Sequence, residues 1–323
     1  MAIVVTGAAG FIGFHVCQRL LARGDAVIGV DSMNAYYDPA LKEARLALLA
    51  DQDGFTFHKA DIATPECFET LGEHGDVTGI VHLAAQAGVR YSIDHPFAYV
   101  ESNLVGHMRV LEYARALPDL EGLVYASSSS VYGGNTKLPF SIEDRVDQPI
   151  SLYAATKRAN EALSYSYSHL YRIPQTGLRF FTVYGPWGRP DMALFLFTKS
   201  IISGKPIRVF NHGDMSRDFT YIDDIVSGVV AALDRPPGQS DEAPHRVYNL
   251  GNNKPEPLLG LIETLEAALG MKAEKILEPM QPGDVKSTFA DIEASRRDLG
   301  FEPTVPMSVG VPKFVEWYRT YHA

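Results

Sequence analysis

The chain has 323 residues, 46% of them hydrophobic and 21% charged, which is enough for a large core or two lobes. Its formal net charge of -10 argues against a nucleic acid or an anionic membrane surface as the main partner. The two cysteines, Cys17 and Cys67, form no CxxC pair, so we expect neither a disulfide framework nor a bound metal.

The first half of the chain alternates short apolar runs with helical patterns. The N-terminus enters the run MAIVVTG without a basic segment before it, and no run is long enough to cross a bilayer, so we expect a cytoplasmic protein. Strands are predicted at AIVVTG, AVIGVD, FTFHKAD, GIVHLAA, GLVYASS and TGLRFF, and helices at GFHVCQRLLARG, Val100–Ala116 and after Ser151. This alternation predicts an α/β fold with a doubly wound parallel sheet of the Rossmann type.

The second half is less regular. Helices are predicted in RPDMALFLFTKSIISGKP, YIDDIVSGVVAALDRP and LLGLIETLEAALG, and strands at IRVFNHG and RVYNLG. We expect residues 1–180 to form the nucleotide-binding domain, completed by later elements near residues 219–251. Residues 181–323 are expected to form mainly a smaller, interwoven C-terminal lobe that binds the substrate.

A glycine-rich turn follows the first predicted strand. The stretch TGAAGFIG places glycines in a GxxGxxG arrangement between that strand and the next helix. Glycines allow the tight turn and let backbone N–H groups approach a pyrophosphate at the helix N-terminus. A turn that merely joins strand to helix is the alternative, but the context is the one that dinucleotide binding requires. The predicted cofactor contacts are Gly7, Gly10, Phe11, Ile12 and Gly13.

Polar and small residues stand at the ends of three further strands. Asp31 closes the second strand, where a carboxylate can reach ribose hydroxyls and would repel a 2′-phosphate, which favours NAD over NADP; it could instead cap the following turn. The other positions allow either ligand contact or ordinary turns, packing and solvation. They are Asp61 and Ile62 against adenine, Leu83, Ala84 and Ala85 against the cofactor, and Gln86 and Arg90 against the substrate.

The stretch SLYAATKRANEA carries a tyrosine and a lysine four residues apart. Tyr153 and Lys157 therefore share one face of the predicted helix. Because a nearby positive charge favours a phenolate, the pair is either an acid–base unit or two surface residues that happen to be close. The preceding strand ends in YASSSSVYGG, and we select Ser128 as the hydroxyl that binds the reacting oxygen beside Tyr153.

Taken in order, GxxGxxG, Asp31, HLAA, SSSSVYG and Tyr153-x-x-x-Lys157 resemble the extended short-chain dehydrogenase/reductases, in particular the sugar-nucleotide epimerase/dehydratase family. The resemblance covers essentially the whole chain. It implies that Tyr153, as phenolate, takes the proton of a sugar 4-hydroxyl, while Lys157 lowers the tyrosine pKa and holds the nicotinamide ribose. The C4 hydride would pass to tightly held NAD and return to the other face of the rotated 4-keto sugar. A homodimer packed through Val100–Ala116 and the Tyr153 helix is also implied, although those faces could be core.

The stretch RFFTVYGPWGRPDMA, supported by MNAYYDPALKEARL and GDMSRDFTYIDD, narrows the resemblance to the 4-epimerases of UDP-glucuronate. Ser129 and Ser130 stand where the related dehydratases and decarboxylases carry an acid, and Thr182 stands where UDP-galactose epimerases carry asparagine. These three hydroxyls could hold a uronate carboxylate without acid catalysis. Arg189 could pair with it bidentately, or it could be an exposed loop arginine.

Other substrate contacts are implied by the same resemblance. Arg217 would clamp the diphosphate, or form a surface ion pair with Asp214 or Asp218. Asp284 would hold ribose or phosphates, or simply make a turn, and Val209 and Phe210 would face uracil, or belong to a plain edge strand.

Four alternative functions remain open. A UDP-glucose/UDP-galactose or N-acetyl-sugar 4-epimerase would share nearly every site. A UDP-uronate decarboxylase or a 4,6-dehydratase would need the missing acid, and a non-catalytic NAD-binding regulator would typically lack Tyr153 or Lys157.

Overall fold

The computed structural model describes residues 2–72, 74, 76–281 and 285–323. Its largest feature is a seven-stranded sheet in which every neighbouring pair of strands is parallel. The strands of the described chain are β1 (Ala2–Thr6), β2 (Ala26–Asp31), β3 (Phe55–Lys59), β4 (Val77–His82), β5 (Gly122–Ser128), β6 (Gln175–Phe180), β7 (Thr182–Tyr184), β8 (Ile207–Val209), β9 (Ser216–Tyr221), β10 (His245–Leu250), β11 (Pro255–Pro257) and β12 (Lys275–Leu277).

The order of the large sheet is β10-β6-β5-β4-β1-β2-β3, which confirms the predicted doubly wound fold. From β1 the chain adds β2 and β3 on one side of β1, and then crosses over so that β4 pairs with the other side of β1. This reversal of direction opens a crevice at the carboxyl ends of β1 and β4, where such folds bind their ligands. The last strand, β10, comes from beyond residue 180 and extends the sheet by pairing with β6.

Helices cover both faces of the sheet. They are α1 (Phe11–Arg23), α2 (Pro39–Ala50), α3 (Glu66–Leu71), α4 (Tyr91–Asp94), α5 (Pro96–Tyr99), α6 (Gly106–Ala116), α7 (Leu152–Tyr171), α8 (Ala193–Ile202), α9 (Ile222–Asp234), α10 (Leu258–Leu269), α11 (Glu293–Leu299) and α12 (Met307–Tyr321). None of the helices in the described ranges is both long and apolar enough to span a membrane.

Alternation along β1 builds two hydrophobic cores. Ile3 and Val5 pack on one face with side chains of α1 and α9, whereas Val4 packs on the other face with Val110 and Leu111 of α6. Both faces of the strand are therefore buried, which is why its sequence is almost continuously apolar.

The second half forms two small sheets beside the large one. Strand β9 lies between β7 and β11, and β8 pairs with β12. The predicted strand IRVFNHG ends at Val209, because Asn211 and His212 adopt positive φ angles of 49° and 52° within a 3-10 turn. Sequence analysis also did not predict α12, which has Pro312 in its interior, a residue that usually interrupts a helix.

Two buried histidines lie beneath the crevice. His82 Nδ1 is 2.7 Å from the Thr6 hydroxyl oxygen, and His107 Nε2 is 2.9 Å from that of Ser164. Burial, reinforced by the nearby Lys157 charge, lowers the pKa of His107 to about 3. Burial, the neighbouring His107 and Lys157 also hold the pKa of His82 well below its usual value. Both rings are therefore neutral at pH 7.

These histidines predict acid lability. An unfolded histidine titrates near pH ~6.5, so below that pH the unfolded chain binds more protons than the folded one. The free energy of unfolding therefore decreases as the pH is lowered. His107 alone should lower the free energy of unfolding by about 2 kcal/mol between pH 7 and pH 5. Urea unfolding across this range should show a shallower pH dependence for His107→Gln than for wild type. The control His169→Gln, on an exposed face of α7, should keep the wild-type slope; equal slopes in all three proteins would contradict this prediction.

Candidate active site

The crevice at the carboxyl ends of the central strands brings together most of the predicted site residues. It is walled by the glycine turn after β1, the ends of β2, β4 and β5, the start of α7 and the loop after β7. The predicted residues that line it are Gly7, Gly10, Phe11, Ile12, Gly13, Asp31, Asp61, Ile62, Leu83, Ala84, Ala85, Gln86, Ser128, Tyr153, Lys157 and Arg189.

The glycine turn has no room for side chains. Gly7 has a φ angle of +75°, and a Cβ atom there would lie 2.8 Å from the Ala84 backbone nitrogen. A Cβ on Gly13 would lie 2.0 Å from the Gly7 carbonyl oxygen. Helix α1 starts at Phe11 without a side-chain cap, so the N–H groups of its first turn face the crevice side as a cradle for an anionic group.

Asp31 supports this turn as well as facing the crevice. Its carboxylate accepts hydrogen bonds from the backbone N–H of Ala9 (3.2 Å) and of Met33 (2.8 Å). Lys42, on α2, places its ammonium 3.4 Å from the same carboxylate and also lines the crevice. Asp31 thus caps its turn, as one of the two alternatives proposed, and remains available at the crevice wall.

Helix α7 presents the tyrosine and lysine as predicted from their spacing. It begins after Ser151, whose hydroxyl accepts a hydrogen bond from Ala154 N–H at 3.1 Å. Lys157 is only 4% exposed, and its ammonium donates to the Ala126 carbonyl oxygen at 2.9 Å. Burial lowers the pKa of Lys157 to about 8.

The pKa of Tyr153 is subject to opposing influences. Burial raises this pKa, while a hydrogen bond with the Ser128 hydroxyl and the charge of Arg189 lower it. Among the described groups, Ser128 and Arg189 are the two that oppose the effect of burial. Burial is the largest of these influences, so the pKa of Tyr153 is raised from its ordinary value.

The serine run is held from below by a buried ion pair. The Ser127 hydroxyl donates to Glu161 of α7 at 2.7 Å, and Glu161 pairs with Arg179 of β6 at 2.8 Å. Ser128 accepts a hydrogen bond from Ser130 N–H and donates to its hydroxyl at 3.0 Å. Ser129 and Ser130 lie in a 3-10 turn that starts at Ser129, so they flank the crevice without being among the residues that line it.

Arg189 lies in the crevice wall but already has a partner. Its guanidinium forms two hydrogen bonds with Asp191, at 3.0 and 2.5 Å. Although burial alone would lower it, the Asp191 carboxylate raises the pKa of Arg189 above its ordinary value. Thr182 is the first residue of β7 and is partly exposed, between two residues that line the crevice, Phe181 and Val183.

Four further predicted residues in the described part of the chain are not among those that line this crevice: Arg90, Val209, Phe210 and Arg217. Arg90 stacks its guanidinium on Phe210, 4.6 Å from the ring centre. Val209 is fully buried, and its side chain belongs to the larger hydrophobic core. Its carbonyl accepts a hydrogen bond from Glu278 N–H at 2.9 Å. Arg217 donates to the Ser216 carbonyl at 2.8 Å, and Asp284 lies outside the described residues.

Several residues of the crevice were not identified from the sequence. They include Tyr36, Tyr37, Lys42, Ser102, Phe181, Val183 and Met192. The first three belong to the stretch MNAYYDPALKEARL, whose aromatic and basic pattern was the available signal. Asn103 was also not predicted: in a π-helical turn before α6, it exchanges hydrogen bonds with the Gln86 backbone and donates to Thr156 of α7.

A parallel doubly wound sheet, a glycine turn, a carboxylate at the end of β2 and a Tyr-x-x-x-Lys helix together define a dinucleotide-binding α/β protein of the dehydrogenase/reductase type. The sequence profile described as the NAD dependent epimerase/dehydratase family matches residues 3–251. The chain belongs to this family.

Individual relatives narrow the comparison. A protein of Arabidopsis thaliana named UDP-glucuronate 4-epimerase 4 is 50% identical over 100% of this chain and 76% of its own length. The structure of the UDP-glucuronic acid 4-epimerase of Bacillus cereus, in complex with UDP-glucuronic acid and NAD, has a TM-score of 0.90 and 36% identity, covering 99% of this chain and 100% of that one. The UDP-glucose 4-epimerase of Thermotoga maritima with UDP-glucose has a TM-score of 0.89 and 28% identity, covering 100% of both chains.

Proposed function

We propose that the protein is an isomerase, an NAD-dependent 4-epimerase that interconverts UDP-glucuronate and UDP-galacturonate through a transient 4-keto sugar. The observation that carries this proposal is the arrangement of Tyr153, Ser128 and Arg189 on one crevice wall, beside the glycine turn. A base, a hydroxyl and a guanidinium meet where a uronate needs proton removal and a partner for its carboxylate.

NAD fits the crevice by shape and by charge. The tight turn, in which Gly7 and Gly13 pack directly against backbone atoms, and the uncapped start of α1 suit a pyrophosphate. We assign Asp31 to the adenosine ribose, Asp61 and Ile62 to adenine, Leu83, Ala84 and Ala85 to the cofactor body, and Tyr153 and Lys157 to the nicotinamide ribose. When bound, NAD supplies a reversible hydride acceptor, so that oxidation and reduction at C4 cancel.

The protein's own residues carry the proton and hold the sugar. The Tyr153 oxygen accepts the 4-hydroxyl proton, while the Ser128 hydroxyl turns from Ser130 to donate a hydrogen bond to the sugar oxygen. After the keto sugar has rotated to present its other face, Tyr153 returns the proton to the C4 oxygen.

Substrate choice follows from the residues that meet the sugar's C5 substituent. We propose that Ser129, Ser130 and Thr182 donate hydrogen bonds to a uronate carboxylate and that Arg189 forms an ion pair with it. The remaining contacts to the sugar and the diphosphate are assigned to Gln86, Arg90, Arg217 and Asp284. Val209 and Phe210 are assigned to the uracil. Ser129 and Ser130, beside Ser128, are neutral. The site therefore has no acidic side chain there to promote loss of CO2 from the keto uronate or elimination of water. A neutral UDP-hexose 4-epimerase is the second candidate, favoured by the similarity to the UDP-glucose enzyme.

The test is product analysis by NMR. The purified protein with added NAD is incubated with UDP-glucuronate and, separately, with UDP-glucose. We expect equilibration of the uronate with its 4-epimer and no CO2. Conversion of the glucose compound alone would overturn the uronate assignment.

Replacement of Asp31 tests the cofactor assignment. In Asp31→Ser the carboxylate that repels a 2′-phosphate is gone, while Lys42, 3.4 Å from it in the wild type, remains to pair with that phosphate. We expect the ratio of NADP to NAD affinity to rise by about tenfold or more, which corresponds to about 1.4 kcal/mol. Equilibrium titration with both dinucleotides measures this ratio. Asp51→Asn at the exposed end of α2 serves as control, and an unchanged ratio in Asp31→Ser would contradict the assignment.

We further propose that the protein acts as a cytoplasmic homodimer, with residues 1–180 and the later β10 strand binding NAD and residues 181–323 binding mainly the substrate. An apolar groove formed by α6, the π-helical turn before it and α7 supports the dimer; it includes Leu104, Val105, Met108 and Leu163, and Val105 is 41% exposed. Light scattering should show a dimer for wild type and a monomer for Val105→Asp, whereas Ile276→Asp, an exposed apolar site on β12, should remain dimeric.

A further inference from the structure

The partner of Arg189 is itself held by a second residue. Asp191 forms both hydrogen bonds of the ion pair, and its Oδ2 atom also accepts one from the Tyr36 hydroxyl at 3.0 Å. Tyr36 comes from the connection between β2 and α2, and Asp191 from the loop between β7 and α8. The contact therefore joins the cofactor side of the crevice to the loop that carries Arg189.

The same loop is fixed at its start by two more side chains from the cofactor side. His15 Nε2 lies 3.0 Å from the Pro186 carbonyl oxygen, and Arg45 donates to the Trp187 carbonyl oxygen at 2.6 Å. Arg45 also donates to the Ala9 carbonyl oxygen in the glycine turn, at 2.9 Å. The loop that carries Arg189 is thus held before this residue by its backbone and after it by the Asp191 side chain.

The groups that face Tyr153 come from each neighbouring element. They are Ser128 from β5, Arg189 from the loop after β7, Tyr99 from α5 at a ring distance of 6.1 Å, and Lys157 on α7 itself. Arg189 in turn faces Asp191, Tyr36 and Tyr99. Arg189 is thus the charged group through which the Asp191 carboxylate can influence the tyrosine.

We propose that Asp191, tethered by Tyr36, is a positioning residue that keeps Arg189 beside Tyr153 and at the same time limits how strongly Arg189 acts on the phenolate and on a substrate carboxylate. This proposal rests on the uronate 4-epimerase function. A guanidinium free to pair fully with the uronate would oppose the turning of the keto sugar, because both donors would be committed to one carboxylate. A resident carboxylate that competes for these donors keeps the sugar mobile.

The first test is the pH profile of kcat/KM for UDP-glucuronate. In Asp191→Asn, Arg189 loses its counter-charge and stabilises the Tyr153 phenolate more strongly, so activity should persist to lower pH, with the acidic limb displaced on the order of one pH unit. Tyr36→Phe should move the limb the other way, because the untethered ion pair can swing away from Tyr153. General loosening of the loop would not give shifts of opposite sign.

The second test asks whether Asp191 acts through Arg189. In an Arg189→Met background, Asp191→Asn should leave the acidic limb of the pH profile unmoved. Asp191→Glu in the wild-type background keeps a carboxylate at this position, so its acidic limb should match that of the wild type. Asp191→Asn should also lower the KM for UDP-glucuronate and the kcat together, since a tightly held uronate turns more slowly. Asp241→Asn, in an exposed loop, is the matched control and should behave as wild type.

The outcomes separate this proposal from the proposed function. A wild-type protein that does not epimerise UDP-glucuronate refutes the function. A wild-type protein that does, together with Asp191→Asn and Tyr36→Phe profiles that overlay it or shift in the same direction, refutes only the role of Asp191. Should Asp191→Asn fail to fold, as judged by circular dichroism, the Tyr36→Phe profile decides, and an unmoved or downward-shifted limb there overturns the proposal.

Discussion

Tyr153→Phe is expected to reduce the epimerisation rate by about 10²- to 10⁴-fold, which is the usual contribution of a positioned acid–base group. The variant removes only the hydroxyl. The ring would still pack edge-on against Tyr99, at 6.1 Å between ring centres, so the fold and the NAD cradle should be preserved. The rate is measured by NMR on UDP-glucuronate, and bound NAD is quantified in the same sample.

The matched control for this substitution is Tyr165→Phe on the same helix, since Tyr165 is 53% exposed and lies outside the crevice. It should retain the wild-type rate. Full activity in Tyr153→Phe would show that another group takes the proton. Loss of bound NAD along with activity would show that the phenol is needed for the cofactor rather than for the chemistry.

Gly13→Ala should abolish NAD binding at micromolar concentrations. The new methyl group would lie 2.0 Å from the Gly7 carbonyl oxygen, so the turn after β1 must move away from the position in which its N–H groups face a pyrophosphate. Displacement of this kind costs about 3 kcal/mol or more, which corresponds to a loss of affinity of roughly 100-fold. Isothermal titration calorimetry of the purified variant with NAD measures the affinity.

The control for this experiment is Gly238→Ala, because a Cβ atom at Gly238 would meet nothing within 4 Å. Its NAD affinity should equal that of the wild type. Tight NAD binding by Gly13→Ala would mean that the dinucleotide does not lie against this turn, and the assignment of the cofactor side would then fail.

The central sheet could be predicted because its signals are local. The apolar strands, the glycine turn and the Gly24 helix end each depend on a few consecutive residues, and alternation of strand and helix dictates a parallel order. Strand β9 and helix α12 were not predicted, because the polar sequence of the one and Pro312 in the other obscure the expected periodicity.

The site was predicted where chemistry follows spacing, and less well where it depends on distant contacts. Tyr153 and Lys157 share a helix face, as their separation requires. The partner of Lys157, the Ala126 carbonyl, is set by how α7 packs on β5, and no sequence pattern encodes it. The contact between Tyr36 and Asp191 joins residues 155 positions apart, so only the folded chain shows that Arg189 has a tethered counter-ion.

The proposed function depends most on reversible hydride removal at C4 in a site where Tyr153 takes the proton. The most direct measurement uses UDP-glucuronate deuterated at C4, incubated with the enzyme and NAD in ordinary water, with the product examined by NMR. Retention of deuterium at C4 of the UDP-galacturonate is predicted, because the hydride departs and returns without contact with solvent. Replacement of that deuterium by solvent hydrogen during epimerisation would contradict the account.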